Sequence, residues 1–290
     1  MRRQPAFTLP DFIRLVRWPN LTIMAFTQYM VACFLINDSF RPLQVLRNRP
    51  MMLISLATVL IAAAGYIIND YYDIKIDTVN KPGRVIIGRS LKRQYAIAIH
   101  TLLSITGILL AATLSKRTGF ICLACVFLLW LYSNTLKRTP LLGNVLIGLL
   151  TAICIWLPAD YYRHQATGNA KVVFAFAVWA FFISLIRELI KDMEDLRGDA
   201  RFGARTLPVV WGIRRTKYLV FAASAAFAVS LFYAAEKLSI FLMLYFGLLM
   251  APLGYLLYLT YKADTRKKFS RLSSLFKWLM LLGVLSMAFL

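Results

Sequence analysis

The chain has 290 residues, of which 60% are hydrophobic and only 16% charged, and its mean hydropathy is +0.65. Such an apolar composition excludes a soluble enzyme of this size. The 34 Lys and Arg residues outnumber the 13 Asp and Glu residues, and in a membrane protein this excess indicates cytoplasmic loops that meet anionic lipid, with no nucleic-acid partner.

Nine apolar segments are each long enough to cross a membrane as a helix, which requires about 20 mainly apolar residues. They predict an all-α fold, a polytopic bundle of nine transmembrane helices that forms one integral membrane domain over residues 1–290. The short connections after the third and seventh segments predict two antiparallel helix hairpins. The predicted spans are 20–37, 51–69, 94–114, 118–136, 141–160, 171–190, 218–235, 238–261 and 273–290.

The distribution of basic residues predicts the orientation of the bundle. With a cytoplasmic N-terminus, 26 of the 34 Lys and Arg residues fall in cytoplasmic segments and only eight on the other face. Basic residues near the ends of membrane helices favour the cytoplasmic side. We therefore expect the N-terminus in the cytoplasm and, after nine spans, the C-terminus on the opposite side.

Eight of the 13 acidic residues lie in two short windows, at the predicted cytoplasmic ends of spans two and six. The first acidic window is 69–77 and the second is 188–199, with its motif at 192–199, so each half of the chain carries one. The two long connections, 70–93 and 191–217, contain most of these acids. Anions concentrated on the face where cations dominate indicate a site, because solvated acids would be scattered.

The first acidic window has an N-x-x-x-D-x-x-x-D spacing. On an α-helix this spacing places Asn69, Asp73 and Asp77 on one stripe, about 6 Å apart per step. In the second window the same arithmetic places four carboxylates within roughly a 60° arc, while Glu194 points to the opposite side and is expected to be a bystander. Those four carboxylates belong to Glu188, Asp192, Asp195 and Asp199.

Two carboxylate clusters more than a hundred residues apart suit a hard divalent cation, and Mg²⁺ is the usual choice when a phosphate completes its shell. For either window alone, the alternative is a helix end with solvated acids, or with acids paired to neighbouring basic residues. Basic residues that can hold phosphate oxygens follow both windows. They are Lys81, Arg84, Arg89, Lys92 and Arg93 after the first, and Arg201, Arg205, Arg214 and Arg215 after the second.

The two windows, N-D-Y-Y-D-I-K-I-D and K-D-M-E-D-L-R-G-D, resemble the two Asp-rich motifs of UbiA-type intramembrane prenyltransferases, together with the N-K-P-G-R and G-A-R-T-L-P segments that follow them. The stretch Tyr132-Ser133-x-x-x-Lys137-Arg138 is similar to a third polar motif of that family. The resemblance covers most of the chain. It implies a helical bundle around a central cavity, with a cytoplasmic cap formed by the two loops that carry the motifs.

The same resemblance implies an enzyme that transfers a prenyl group from an isoprenyl diphosphate to a lipophilic acceptor in the membrane. It implies that two Mg²⁺ ions hold the diphosphate and that their ligands are Asn69, Asp73, Asp195 and Asp199. Asp77 and Asp192 take supporting or acceptor-side roles. The side chains that steady the diphosphate are then Lys137, Tyr132, Lys81, Arg84 and Arg201.

For the acceptor, the K-D-x-E-D-x-x-G-D pattern is closest to the digeranylgeranylglyceryl phosphate synthase branch of the family, whose acceptor is a prenylglyceryl phosphate. Other branches use aromatic acceptors such as 4-hydroxybenzoate, homogentisate or dihydroxynaphthoate. A phosphorylated acceptor requires further cations, although the positive-inside bias explains the available residues equally well. The candidates are Arg14, Arg17 with Asn20, Arg205 and Arg138.

Two rival classes follow from the residues alone. Acids and bases at the ends of membrane helices also occur in cation-coupled transporters, although a transport site should lie near the bilayer midplane. A phosphatidyl-type transferase requires a D-G-x-x-A-R run that leads into paired aspartates. The segment Gly198-Asp199-Ala200-Arg201 matches that pattern poorly in order and spacing.

Overall fold

The computed structural model describes residues 6–36, 42–164, 170–235 and 240–290, apart from the side chains at 84, 234 and 235. Within these ranges, nine helices are long and apolar enough to cross a membrane, in agreement with the sequence. The helices are α1 (Leu9–Leu15), α2 (Trp18–Val31), α3 (Pro42–Arg47), α4 (Arg49–Asn80), α5 (Arg93–Leu114), α6 (Lys116–Asn134), α7 (Leu142–Tyr162), α8 (Ala170–Arg201), α9 (Leu207–Ala235), α10 (Ile240–Lys262) and α11 (Arg266–Leu285).

Helices α4 and α8 are the longest, with 32 residues each. At 1.5 Å per residue each measures about 48 Å, which exceeds the roughly 30 Å thickness of a bilayer's hydrocarbon core. Their last 11 residues contain most of both acidic windows, which the sequence assigned to connections and to the loops of a cap. That assignment is wrong, because acids on one stripe lower the mean hydropathy while apolar residues such as Ile76 and Met193 still bury the other face.

Local signals explain where the long helices begin and end. Asn48 caps α4, since its side chain accepts a hydrogen bond from the backbone N–H of Met51 at 3.1 Å. The helix ends at Asn80, just before Pro82, because proline disfavours helical backbone at the preceding residue. Helix α8 ends two residues before Gly203, whose φ of +72° is the left-handed conformation common after a helix.

Two helices start earlier than the sequence predicts. Helix α9 starts at Leu207, although the predicted span starts at 218, and Gly212 interrupts it with a φ of +79°. Helix α11 starts at Arg266 where the sequence predicts a start at 273, so Lys277 lies well inside a membrane-spanning helix. The basic residues in these segments lowered the mean hydropathy of residues that are nevertheless helical.

Helices α4 and α8 form the centre of the bundle. Helix α4 packs against α5 and α6, helix α8 packs against α7, α9 and α11, and the two long helices also contact each other. Their apolar segments are the most buried of the nine, with 56% and 61% of the residues inside the protein. The acidic windows therefore lie at the C-terminal ends of the two most buried helices.

Candidate active site

The two acidic windows meet where the ends of α4 and α8 cross. The side chain of Asn80 donates a hydrogen bond to the backbone oxygen of Asp195 at 2.9 Å and accepts one from the backbone N–H of Gly198 at 2.9 Å. A Cβ atom at Gly198 would lie 2.4 Å from the Asn80 amide nitrogen. Only glycine allows this approach, and the neutral Asn80 amide fixes one window against the other.

In the first window, Lys137 contacts two of the three residues of the predicted stripe. Its ammonium group donates to the amide oxygen of Asn69 at 3.2 Å and forms an ion pair with Asp73. Asn69 and Asp73 are both buried and lie on one face, as the four-residue spacing predicts. Asp77, one turn further, is half-buried, and its carboxylate has no hydrogen-bond partner among the described residues.

Lys137 lies in the short turn between α6 and α7, outside the membrane-spanning segments. Burial lowers the pKa of its ammonium group to about 8, and the positive charge of Lys191 acts in the same direction. The carboxylates of Asp199 and Asp195 oppose this shift. The lysine that pairs with the first window is therefore also affected by the charges of the second.

In the second window, two carboxylates are held by neutral donors. Asn144 of α7 donates to Asp192 at 2.8 Å, and the Thr206 hydroxyl donates to Asp199 at 3.2 Å. Glu194, which the sequence predicts on the opposite side of the helix, is buried, with 8% exposure.

A lysine that follows the first window binds the second. The ammonium group of Lys81 lies 2.8 Å from Oδ2 of Asp195. The other oxygen of that carboxylate, Oδ1, is buried and has no hydrogen-bond partner among the described residues. A buried, unsatisfied carboxylate oxygen is costly unless it has a function.

Arg17 joins the first window from the junction of α1 and α2. It has a left-handed backbone, with a φ of +53°, which is strained for a residue other than glycine. Its guanidinium donates to Asp70 at 2.7 Å and lies 4.7 Å from the centre of the Tyr66 ring. Burial alone would lower the pKa of Arg17, but the charge of Asp70, with Tyr66 and Asp77 nearby, raises it above its ordinary value.

A cavity of about 350 Å³ extends from the acidic windows into the bundle. Its wall is mainly apolar, and α2, α4, α6, α7, α8 and α11 all contribute to it. Five residues that the sequence singled out line it, namely Arg17, Asn20, Asn69, Tyr132 and Glu188. The Asn20 amide donates to the hydroxyl of Tyr66 at 3.1 Å, which fixes one side of the wall.

The sequence interpretation missed two basic residues of this cavity, Arg187 and Lys277. Both were counted among the 26 basic residues of the predicted cytoplasmic segments. The signal that could have found them is a lone basic residue inside an apolar run, in F-I-S-L-I-R-E-L and S-L-F-K-W-L-M. An ionisable residue at that position in a membrane helix usually faces the interior of the bundle.

Among the candidate phosphate ligands with described side chains, Arg138, Arg201, Lys81 and Lys137 are not part of the cavity wall. Arg138 and Arg201 are exposed, and Arg201 lies over the ring of Phe202 with 6.0 Å between guanidinium and ring centre. Arg84 lies in a 3-10 turn, and its side chain falls outside the described atoms.

Among the described residues, no group of three or more His, Cys, Asp or Glu side chains is arranged to hold a metal ion. Lys81 and Lys137 provide the positive charge beside Asp195 and Asp73. The residue types nevertheless fit a hard divalent cation, because the free, buried Oδ1 of Asp195 is the oxygen donor that such ions bind.

Comparison with known proteins identifies the family to which the chain is related. Residues 26–281 match the UbiA prenyltransferase family. A digeranylgeranylglyceryl phosphate synthase of Methanococcoides burtonii is 32% identical over 282 residues, which are 96% of this chain and 98% of the relative. One of Methanosarcina mazei is 40% identical over 167 residues, so the match spans 58% of this chain and only 57% of that relative.

The fold also has solved counterparts. A structure of digeranylgeranylglyceryl phosphate synthase superimposes with a TM-score of 0.72 over 96% of each chain, at 22% identity. A UbiA homolog from Archaeoglobus fulgidus, bound to GPP and Mg²⁺, gives a TM-score of 0.69 at 14% identity, over 96% of this chain and 99% of that one. The chain belongs to the UbiA prenyltransferase family and is an integral, multi-pass membrane protein.

Proposed function

We propose that this member of the UbiA family transfers a prenyl group from an isoprenyl diphosphate to a prenylglyceryl phosphate, with Mg²⁺ as the cofactor. The observation that carries the proposal is the joining of two acidic windows and two lysines, next to an apolar cavity whose wall includes Asn69 and Glu188 of those windows. Relatives named digeranylgeranylglyceryl phosphate synthase support this choice of acceptor.

Four residues would hold two Mg²⁺ ions together with the diphosphate, and Asp77 and Asp192 would support them. Bound Mg²⁺ neutralises the charge that develops on a departing diphosphate. Asp195 is suited to this role because one of its carboxylate oxygens is unsatisfied, and Asn144 fixes Asp192 through a 2.8 Å hydrogen bond. The four proposed ligands are Asn69, Asp73, Asp195 and Asp199.

The lysines would bind the diphosphate, and the cavity would bind the hydrocarbon chain of the donor. Lys137 and Lys81 lie beside the carboxylates and can donate to phosphate oxygens, with Tyr132 on the adjacent wall. The apolar cavity accommodates a hydrocarbon chain and excludes water, which would otherwise quench an allylic cation. The bond between the prenyl carbon and the diphosphate breaks, the acceptor hydroxyl oxygen forms an ether bond to that carbon, and the hydroxyl proton passes to the released diphosphate.

Arg17 and Asn20, which both line the cavity, would orient the acceptor. Their hydrogen bonds to Asp70 and Tyr66 hold both side chains in place, and the strained backbone of Arg17 is typical of a functional position. The exposed Arg138, Arg201 and the Arg84 turn would assist capture of the diphosphate at the mouth.

The decisive experiment is incubation of the purified protein with labelled isoprenyl diphosphates of several lengths and a panel of acceptors. The panel contains prenylglyceryl phosphate, 4-hydroxybenzoate, homogentisate and dihydroxynaphthoate. We expect transfer to the glyceryl phosphate, abolished by a chelator and restored by Mg²⁺. Transfer only to an aromatic ring would refute the acceptor, and ion flux in donor-free liposomes without any transfer would refute the enzyme.

We further propose that the N-terminus and the acidic windows face the cytoplasm. The excess of basic residues at that end of the bundle supports this orientation. A reporter fused after Leu290 should then be active only on the opposite side of the membrane. A reporter that is active in the cytoplasm would contradict the count of nine spans.

A further inference from the structure

Basic residues outnumber acidic residues along the cavity wall. Four basic side chains line it, whereas Glu188 is the only acidic residue among the described residues of the wall. One of the four, Arg17, is paired within the first acidic window. Arg187, Lys191 and Lys277 are therefore left to share a single carboxylate.

Some of the donor groups of these three residues have no partner in the described part of the protein. Glu188 accepts hydrogen bonds from Nη1 of Arg187 at 3.1 Å and from Nζ of Lys191 at 3.2 Å. The Nε atom of Arg187 is buried without a partner, and Lys277 has no ion pair in the described part of the chain. Unpaired cations are costly in an apolar cavity, so an anionic ligand is expected beside them.

We propose that Arg187, Lys191 and Lys277 form a subsite for the phosphate group of the acceptor, deeper in the cavity than the diphosphate site. The inference rests on the proposed function, because it takes the acceptor to be a glyceryl phosphate. Three cations beside one carboxylate leave an excess of two positive charges, which matches a phosphate monoester near neutral pH.

The depth of this subsite suits the geometry of the acceptor. Along α8, Lys191 and Arg187 come four and eight residues before Asp195, about 6 and 12 Å deeper in the bundle. In a glyceryl phosphate, four bonds separate the hydroxyl oxygen from phosphorus, which is at most about 5 Å. An acceptor hydroxyl that meets the donor carbon below the mouth would thus hold its phosphate at the depth of Arg187 and Lys191, on the wall that Lys277 also lines. The exposed Arg138 is not part of this wall.

A binding experiment tests the subsite without turnover. A saturated monoalkyl glyceryl phosphate and the same monoalkyl glycerol without phosphate are titrated into the purified protein in detergent. We expect the wild type to prefer the phosphorylated ligand and Lys277→Gln to lose about tenfold to a hundredfold of that preference. Lys277→Arg should retain most of it, which guards against misfolding. Lys267→Gln, the same change on the exposed side of α11, should behave as wild type.

Steady-state kinetics then separate this subsite from the diphosphate site. Lys277→Gln should raise the KM for the glyceryl phosphate and leave the KM for the diphosphate nearly unchanged. A rise in the diphosphate KM alone would overturn the inference, as would a wild type with no preference for the phosphorylated ligand. If the wild type shows the preference and Lys277→Gln loses it, the subsite is supported even where the transfer assay favours an aromatic acceptor.

Discussion

In the first acidic window, two of the carboxylates are paired with cations that come from other parts of the chain. Arg17 holds Asp70, and Lys137 holds Asp73. The protein itself therefore neutralises much of this window. The second window also pairs two carboxylates with cations, Asp195 with Lys81 and Glu188 with its neighbours on α8. It differs from the first because two more of its carboxylates receive hydrogen bonds from neutral donors alone.

Those two carboxylates are Asp192, held by Asn144, and Asp199, held by Thr206. A neutral donor orients a carboxylate without cancelling its charge. Asp195 adds a buried oxygen with no partner among the described residues. The second window thus retains more uncompensated negative charge than the first, and we expect it to contribute more to the affinity for Mg²⁺.

The largest effect should come from Asp195. Replacing it with Asn keeps the shape of the side chain but removes the charge and one acceptor oxygen. Turnover should fall about a hundredfold or more, the loss expected when an electrostatic group is removed from a site of developing charge. The measurement is the initial rate of prenyl transfer at saturating Mg²⁺.

Glu194→Gln is the matched control for this variant. It makes the same change on the neighbouring residue, whose side chain is buried and is predicted by helix geometry to face away from the site. We expect a rate within about twofold of the wild type. An equal loss in both variants would mean that the charge of α8 as a whole matters, and the proposed role of Asp195 would fall.

The next largest effects should come from replacing the two lysines, and we expect these two effects to differ in size. Lys137 contacts Asn69 and the buried Asp73, whereas Lys81 contacts only Asp195, whose side chain is 18% exposed. Lys137→Gln should therefore reduce kcat/KM for the diphosphate by about a hundredfold and Lys81→Gln by about tenfold, since a more buried charge pair is worth more. The reverse order would show that the second window, not the first, positions the diphosphate.

The sequence predicts the nine spans, the stripe of Asn69 and Asp73, and the joining of both windows at one end. It misplaces the ends of α4 and α8, because acids on one face lower mean hydropathy without disrupting a helix. It also assigns Lys277 to a cytoplasmic segment, because a count of charges near span ends ignores the direction of side chains. Asn80 was missed because a neutral amide carries no charge signal, and its partner is 118 residues away.

Separating the two windows should affect stability more than chemistry. Gly198→Ala places a methyl group against Asn80, and overpacking of this kind costs about 1–3 kcal/mol. Asn80→Ala removes both hydrogen bonds between the windows and should cost a similar amount. The double variant relieves the clash, so it should be less destabilised than the sum of the two single variants. Thermal unfolding in detergent measures all three, and simple additivity would contradict the contact.

The smallest effect tests the neutral donors of the second window directly. Thr206→Val removes the hydroxyl that donates to Asp199 and keeps the size of the side chain. Without that hydrogen bond the carboxylate is less well oriented, and a loss of about 1 kcal/mol corresponds to a roughly fivefold rise in the Mg²⁺ concentration for half-maximal transfer.

Thr206→Ser should restore the wild-type value because it restores the hydroxyl. Thr78→Val, beside the first window, removes a hydroxyl that donates only to the backbone of Lys75, and it should leave the Mg²⁺ requirement unchanged. If both valine variants shift that requirement equally, the windows do not differ in the way their carboxylates are held, and the greater weight given to the second window is wrong.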